Sequence, residues 1–172
     1  MLAHRSLAIS KDGEILVGGR TLARGYVTGR GLRPLTDAEG WFHSGDLGEL
    51  DGTGRLRVAG RRDNMFISGG ENIHPEAIEA ALNGLPGVAR SVVVAVPDAE
   101  FGRRPVAFVQ MLDGTPPDGA DIHARLAGAG HLARFMWPAR VLPWPSHTPR
   151  TGIKPDRRAL TTLALEALNK GR

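Results

Sequence analysis

The apolar pattern of this 172-residue chain changes at residues 60–63 (GRRD). Before this point the apolar runs are short and separated by glycine-containing turns, as in EILVG at 14–18 and ARGYVT at 23–28. After it they become longer and continuous, as in SVVVAVP at 91–97, and they alternate with helical patterns. Short strands between turns are typical of antiparallel sheets, whereas continuous apolar runs indicate strands buried on both faces. The chain is therefore expected to fold as two pieces of an α+β protein.

The individual elements follow from the same pattern. In the first piece, two more strands are expected within 41–59, and the Asp-Gly-Thr-Gly sequence between them predicts a hairpin turn. In the second piece, a brief strand at 65–68 leads to a helix that begins at Pro75, because proline suits the first helical position. The remaining expected elements are strands at 104–111 and 139–143 and helices near 120–128 and 156–169.

Composition excludes several classes of protein. The chain has no cysteine and its six histidines never stand at ligand spacing, so neither a disulfide framework nor a metal site is expected. Its net charge of +4 comes from scattered arginines in runs of at most two, without the interleaved aromatic residues of nucleic-acid-binding surfaces. No segment has the length of a membrane span or the apolar core of a signal peptide, so the expectation is a cytoplasmic protein that binds neither nucleic acid nor membrane.

Three stretches carry chemical information. They are GWFHSGDLGEL at 40–50, GRRDNMFISGGENIHPEAIE at 60–79 and TPRTGIKPDRRAL at 148–160. Taken singly, each has an ordinary explanation: Asp46 fits a turn, and Lys154 fits a solvated surface charge. Lys154 is nevertheless unusual, because only three of the 22 basic residues are lysines.

Together and in this order, the three stretches resemble the C-terminal part of the adenylate-forming enzymes, the superfamily of acyl- and aryl-CoA synthetases. The resemblance runs from about residue 13 to residue 169. The Thr-Gly-Ile-Lys order, together with DNMFISGGEN and AEFGRRPVA, is similar to the o-succinylbenzoate–CoA ligases of menaquinone biosynthesis. The GGENIHP loop is also similar to the 4-chlorobenzoate–CoA ligases, so another aryl- or acyl-CoA ligase stays open as an alternative.

The resemblance implies an organisation for the chain. Residues 1–60 would be a β-rich terminal subdomain of the large adenylation domain, residues 61–63 the hinge, and residues 64–172 a compact C-terminal lid. The lid is expected to contain a roughly three-stranded sheet, helices and a short hairpin. Asp63 would be the hinge residue about which the lid turns between the two steps of the reaction.

It also implies roles in the first step, in which a carboxylate attacks the α-phosphorus of MgATP. Lys154 would be the catalytic residue, since an ammonium on a flexible stem can act as a point charge between two anions. Asp46 would accept hydrogen bonds from the ribose hydroxyls, and Arg61 would lie near the ribose and the α-phosphate.

In the second step the thiol of CoA displaces AMP. The loop Gly69-Gly70-Glu71 would line the pantetheine path, because glycines permit a close backbone approach. Phe101 resembles an aromatic residue beside this path, and Phe135 resembles one near the CoA adenine. Packing in the core explains either phenylalanine equally well.

One departure affects CoA. Relatives often carry a lysine soon after the position of Phe135, near the CoA phosphates, where this chain has Met136 and Trp137. The arginines that remain as substitutes are Arg103, Arg104, Arg134 and Arg140.

Motifs for holding ATP and the acid are missing from the 172 residues, which have no S-G-T-T-G-like stretch and no Y-G-x-T-E. The chain is therefore expected to be a part of a ligase that is inactive alone, with ATP, Mg and the aromatic acid bound mainly by an absent large domain. An apolar surface left exposed by that absence is expected to allow self-association. The alternative is a free-standing, non-catalytic interaction module with the lid fold.

Overall fold

The computed structural model describes residues 3–130, 132–147, 150–151 and 154–170. Two compact units divide the chain, Met1–Asp63 and Asn64–Arg172, called here the N-terminal and C-terminal units. The α+β class predicted from the sequence is confirmed.

The N-terminal unit consists of antiparallel strands. Four of them form a sheet in the order β1-β2-β5-β6, and β3 pairs with β4 in a separate hairpin. The strands are β1 Ser6–Ile9, β2 Glu14–Gly18, β3 Gly25–Thr28, β4 Gly31–Pro34, β5 Phe42–Leu50 and β6 Leu56–Arg61.

The predicted turn between β5 and β6 is present and is built around one carboxylate. Asp51 Oδ1 accepts the backbone N–H groups of Thr53 and Arg55, each at 2.9 Å. Gly54 takes a positive φ of 78°, which a residue with a side chain rarely adopts. Strands β1 and β4 were not predicted, because each has four residues and β4 begins with Gly31 and ends with Pro34, residues typical of turns.

Apolar burial is slight in the N-terminal unit. Among its described residues, Ile15 at 4% exposure is the only buried large hydrophobic side chain. Val27, by contrast, is 90% exposed, and Tyr26, Leu32 and Val58 are each at least half exposed. Several apolar side chains of this unit are therefore open to solvent within the unit itself.

The C-terminal unit is built on a three-stranded sheet in the order β11-β10-β9. Strands β9 and β10 are antiparallel, whereas β10 and β11 are parallel. Two short hairpins, β7-β8 and β12-β13, complete the strands. The elements are β7 Phe66–Ser68, β8 Glu71–Ile73, α1 Pro75–Asn83, β9 Val88–Asp98, β10 Gly102–Met111, α2 Gly119–Ala129, β11 Arg140–Pro143, β12 Arg150–Thr151, β13 Lys154–Pro155 and α3 Arg157–Lys170.

Both faces of this sheet are covered by helices. Val93 and Val109 face a core shared with Ile78 of α1 and Ile122 of α2. The neighbouring residues of the same strands, among them Val94, face a second core shared with Leu160 and Ala164 of α3. Burial on both faces explains why the sequence at 91–97 is continuously apolar, as predicted for a buried strand.

The predicted elements of the C-terminal unit are found close to their expected positions. Helix α1 begins at Pro75, and β9, β10 and β11 correspond to the three predicted strands. Strand β8 was not predicted, because its three residues pair with β7 across the Gly69-Gly70 turn and carry no apolar period of their own. Within the described residues, no helix combines the length and apolar character needed to cross a membrane.

A buried carboxylate organises the N-terminal sheet where apolar packing is slight. The side chain of Glu14 on β2 is 9% exposed. Its Oε1 accepts the backbone N–H of Gly45 at 2.8 Å, and its Oε2 lies 2.9 Å from His43 Nδ1 and 3.7 Å from Arg62 Nη2. The other ring nitrogen of His43 lies 3.1 Å from Asp37 Oδ2. A doubly protonated His43 can therefore donate one hydrogen bond to each carboxylate.

These contacts shift three pKa values. The hydrogen bonds to Glu14 and then to Asp37 raise the pKa of His43 above its ordinary value. The hydrogen bond from His43 lowers the pKa of Glu14, and the backbone N–H of Trp41 is the main cause of the lowered pKa of Asp37.

The shifts predict how the stability of the N-terminal unit depends on pH. A raised pKa for His43 stabilises the folded state below the unfolded value of about 6.5, and this contribution is lost as pH rises through the folded value. Lowered carboxylate pKa values stabilise above their unfolded values of about 4, and this contribution is lost as pH falls through the folded ones. The contribution of the cluster should therefore be largest between about pH 4.5 and 6.5.

An NMR titration of the His43 ring together with urea unfolding at several pH values measures both effects. His43→Gln should remove the loss of stability above about pH 6.5, since glutamine has no proton to lose. A His43 ring that titrates at the ordinary histidine value would contradict the prediction.

Candidate functional site

The turn that carries Asp46 is fixed by its neighbours. Ser44 Oγ donates to the Ile15 carbonyl at 2.7 Å and accepts the Asp46 N–H at 3.0 Å. Gly45 has a positive φ of 73°, and its N–H is held by Glu14. These hydrogen bonds lie within the N-terminal unit and fix the backbone next to the Asp46 carboxylate.

Strand pairing brings Arg61 to Asp46. The two residues are partners in the register of β5 and β6, and Arg61 Nη1 donates to Asp46 Oδ1 at 3.0 Å and to the Ser44 carbonyl at 2.8 Å. Arg61 Nη2 lies 3.7 Å from Asp63 Oδ2. A Cβ on Gly45 would lie 2.9 Å from Arg61 Nη2, so glycine leaves room for the guanidinium. Three residues singled out in the sequence thus lie together.

This arrangement has a chemical use. Asp46 remains partly exposed. The two oxygens of its carboxylate offer more acceptor sites than the contact with Arg61 occupies. The cluster presents hydrogen-bond acceptors beside a guanidinium, which suits a ligand with neighbouring hydroxyl groups and negative charge.

Asp63 lies in a 3₁₀ turn, Arg62–Asn64, and its side chain is exposed. The boundary between the two compact units falls directly after it. Its assignment as a hinge remains a prediction.

A tight turn places Gly69 and Gly70 between β7 and β8. Both have positive φ values, 57° and 88°, as a two-residue hairpin with Ser68 paired to Glu71 requires. The Gly69 N–H donates to the Phe101 carbonyl at 3.0 Å, and a Cβ on Gly69 would lie 2.9 Å from the Phe101 ring. The structure therefore brings the glycine loop and Phe101 together, and any side chain at residue 69 would displace the ring.

Phe135 belongs to another segment. It lies on a 3₁₀ turn, Arg134–Met136, and is about half exposed. Trp137, the departure from the family pattern, stacks on His123 with ring centroids 5.8 Å apart and donates its indole N–H to the Leu132 carbonyl at 3.1 Å. This residue therefore packs against α2.

One basic side chain lies beside Phe101. The Arg104 guanidinium is 5.1 Å from the centre of the Phe101 ring. Arg104 and Arg140 also line a cleft of 260 Å³. A larger cavity of 620 Å³ lies at the open end of the β9-β10 hairpin and is lined in part by Trp144. None of the residues that line it was predicted as a site residue.

Lys154 opens β13 and is exposed. Its partner in β12 is Thr151, and the intervening Gly152 and Ile153 lie outside the described residues. Asp156 Oδ1 accepts the N–H groups of Arg158 and Ala159 and so caps α3. The lysine therefore lies in the second strand of a short hairpin, two residues before the residue that caps α3.

Two side chains that stabilise the fold, Glu14 and Glu79, were not predicted from the sequence. Glu14 holds the Asp46 turn, and a charged residue at the start of the apolar strand EILVG was a signal for it. Glu79 binds Arg157, and no signal in the sequence connects residues so far apart.

The model of the family described as AMP-binding enzyme C-terminal domain matches residues 77–153. The 2-succinylbenzoate–CoA ligase of Salmonella typhimurium is 44% identical over 149 residues, which cover 87% of this chain and 32% of the relative. A 3-[(3aS,4S,7aS)-7a-methyl-1,5-dioxo-octahydro-1H-inden-4-yl]propanoyl:CoA ligase of Mycobacterium tuberculosis is 38% identical over 140 residues, covering 81% of this chain and 27% of the relative.

The chain is also similar to a solved structure of a CoA synthetase. The o-succinylbenzoate CoA synthetase of Bacillus subtilis, in complex with the acyl-adenylate intermediate OSB-AMP, has a TM-score of 0.78 and 30% identity. The match covers 92% of this chain and 34% of that structure. The chain therefore spans about a third of the length of these relatives.

The resemblance predicted from the three sequence stretches is confirmed. Over most of its length the chain resembles the C-terminal part of the adenylate-forming acyl- and aryl-CoA synthetases, and its residues 77–153 match the model of the AMP-binding enzyme C-terminal domain.

Proposed function

We propose that this chain is the C-terminal part of an AMP-forming acid–CoA ligase, with o-succinylbenzoate as the acid. The overall reaction converts acid, ATP and CoA to acyl-CoA, AMP and pyrophosphate. The observation that carries the proposal is the cluster of Asp46, Arg61 and Asp63, in which strand register pairs Asp46 with Arg61, in a chain 44% identical to a 2-succinylbenzoate–CoA ligase. A different acid is the second candidate, because the Mycobacterium tuberculosis ligase is 38% identical.

In the proposed first step a carboxylate oxygen of the acid attacks the α-phosphorus of ATP. A new O–P bond forms, the bond to the bridging oxygen breaks, and pyrophosphate leaves. Asp46 accepts hydrogen bonds from the ribose hydroxyls and Arg61 lies near the α-phosphate. Lys154 supplies a compact positive charge to the phosphate oxygens as negative charge develops on them.

In the proposed second step the CoA sulfur attacks the acyl carbonyl carbon, its thiol proton is lost, and AMP leaves. The Gly69-Gly70-Glu71 loop and Phe101 line the pantetheine path, and Phe135 lies near the CoA adenine. The contact between Gly69 and Phe101 supports the first assignment. Arg104 and Arg140, which line one cleft, are favoured among the arginines to bind the CoA phosphates.

Other parts of the reaction belong to residues outside this chain. A large domain would hold MgATP and the acid, since the 172 residues contain neither motif. The exposed apolar side chains of the N-terminal unit, such as Val27, suit packing against such a domain. Self-association would cover the same surface in the chain alone. A cytoplasmic location, where ATP and CoA are available, completes the proposal.

The role of Lys154 can be tested in a chimera in which this chain replaces the matching segment of the Salmonella typhimurium relative. Lys154→Ala should slow acyl-adenylate formation by about two to three orders of magnitude, because a preorganised stabilising charge is lost. Thioester formation from preformed acyl-adenylate should be unchanged. Single-turnover measurements of each half-reaction give both rates.

Lys154→Arg is the matched control for charge. It should restore little of the first rate, since a planar guanidinium cannot replace a point charge between two oxyanions. Equal loss in both half-reactions, or full rescue by arginine, would show that Lys154 has no specific role in adenylation. A chimera inactive in both half-reactions before any substitution would contradict the proposed function.

The purified 172-residue chain should catalyse no ATP–pyrophosphate exchange with o-succinylbenzoate. The physical reason is that binding and orientation of the reactants supply much of the rate, and the groups for that task lie elsewhere. The same assay on the chimera serves as the positive control. Exchange by the purified chain, retained through further purification, would exclude the proposed division of the enzyme.

A further inference from the structure

The first residue of α3, Arg157, forms a bidentate ion pair with Glu79. Arg157 Nη1 donates to Glu79 Oε1 at 2.7 Å, and Arg157 Nη2 donates to Glu79 Oε2 at 3.0 Å. The side chains are 27% and 15% exposed. A bidentate arginine–carboxylate pair of this kind fixes orientation as well as distance, and its partial burial protects it from screening by salt.

The same pair supplies hydrogen-bond partners for one residue on the free edge of the central sheet. Strand β9 is an edge strand, so half of its backbone groups have no partner strand. The Val93 N–H donates to Glu79 Oε1 at 2.7 Å, and the Val93 carbonyl accepts from Arg157 Nη1 at 2.5 Å. Arg157 therefore ties the start of α3 both to helix α1 and to the sheet.

The contacts continue towards the predicted hinge. Arg157 Nη2 lies 3.6 Å from Glu76 Oε1, and the same oxygen accepts a hydrogen bond from Asn64 Nδ2 at 2.5 Å. Asn64 follows Asp63 in the chain. A continuous series of polar contacts thus leads from the residue after the predicted hinge to the first turn of α3.

Lys154 stands three residues before Arg157, and only Pro155 and the capping residue Asp156 separate them. The backbone of Lys154 is also constrained by its pairing with Thr151 of β12. The conformational freedom of Lys154 is therefore limited by where the first turn of α3 is fixed. Catalytic groups need a supporting set of contacts to hold them within about 0.5 Å of the productive position.

We propose that Arg157, held by Glu79, is a positioning residue for Lys154. It touches no reacting atom and acts only by fixing the backbone from which the lysine extends. The inference rests on the proposed function, in which Lys154 serves the adenylation step.

The test uses the chimera with Arg157→Lys, which keeps the charge but loses the fork. Acyl-adenylate formation should fall by roughly 10-fold to 100-fold, as expected for a misplacement of about 1 Å. Thioester formation from preformed acyl-adenylate and the KM for ATP should stay unchanged. Glu79→Gln, which removes the charge of the partner, should show the same pattern. Arg158→Lys is the matched control, because this neighbouring arginine is exposed and should affect neither half-reaction.

A double variant separates positioning from general stability. If Arg157 acts through Lys154, Arg157→Lys should cause no further loss of adenylation in the Lys154→Ala chimera, because coupled residues are not additive. An additional 10-fold to 100-fold loss there, or an equal loss in both half-reactions of the single variant, would overturn the proposal. If Lys154→Ala alone slows neither step, the proposed role of the lysine fails. If Lys154→Ala slows adenylation and Arg157→Lys does not, only the positioning role fails.

Discussion

Burial of both faces of the β9-β10 hairpin is the constraint on which the C-terminal unit depends. Each fully buried Val, Leu or Ile side chain contributes about 1.5–3 kcal/mol, so alternate residues packed on α1 and α2 or on α3 stabilise one sheet from two sides. A sheet enclosed in this way cannot leave its edge unpaired without a cost. The Arg157–Glu79 pair supplies partners for Val93 at that edge. The ion pair that fixes the start of α3 thus also supplies hydrogen-bond partners for one residue at the edge of the packed sheet.

The N-terminal unit relies on polar contacts instead. Ile15 is its single buried large hydrophobic side chain within the described residues, yet Glu14 beside it fixes Gly45 and His43 through directed hydrogen bonds. A mostly buried carboxylate is tolerated because each oxygen has partners. Directed contacts hold the backbone around Asp46 more accurately than nonspecific apolar burial could. The exposed apolar side chains of this unit are consistent with a large partner domain under the proposed function.

Local signals in the sequence predicted much of the fold. Pro75 marked the start of α1, and uninterrupted apolar residues marked β9, because these features act within a few positions. The short strands β1, β4 and β8 were missed, since each has only three or four residues, too few to show an alternating apolar pattern of its own. The same limit applies to the site. Asp46 and Lys154 were found through resemblance, whereas the contacts from Glu14 to Gly45 and from Glu79 to Arg157 cross 31 and 78 positions of the chain. Contacts at such separations leave no periodicity to detect.

The choice between arginine and lysine then has a structural explanation. Where a cation must bind a carboxylate in a fixed orientation, this chain uses arginine: Arg61 on Asp46, Arg157 on Glu79, and Arg125 on Asp121 within α2. The Arg157 guanidinium, bound to both Glu79 oxygens and to the Val93 carbonyl, has few donors left for a reacting group. Lys154 is exposed, and under the proposed function an ammonium on a flexible stem can direct its donors to the phosphate. Under the proposed function, Arg157 fixes the backbone three residues from Lys154, and the lysine supplies its charge without joining an ion pair within the part of the chain that the structure describes.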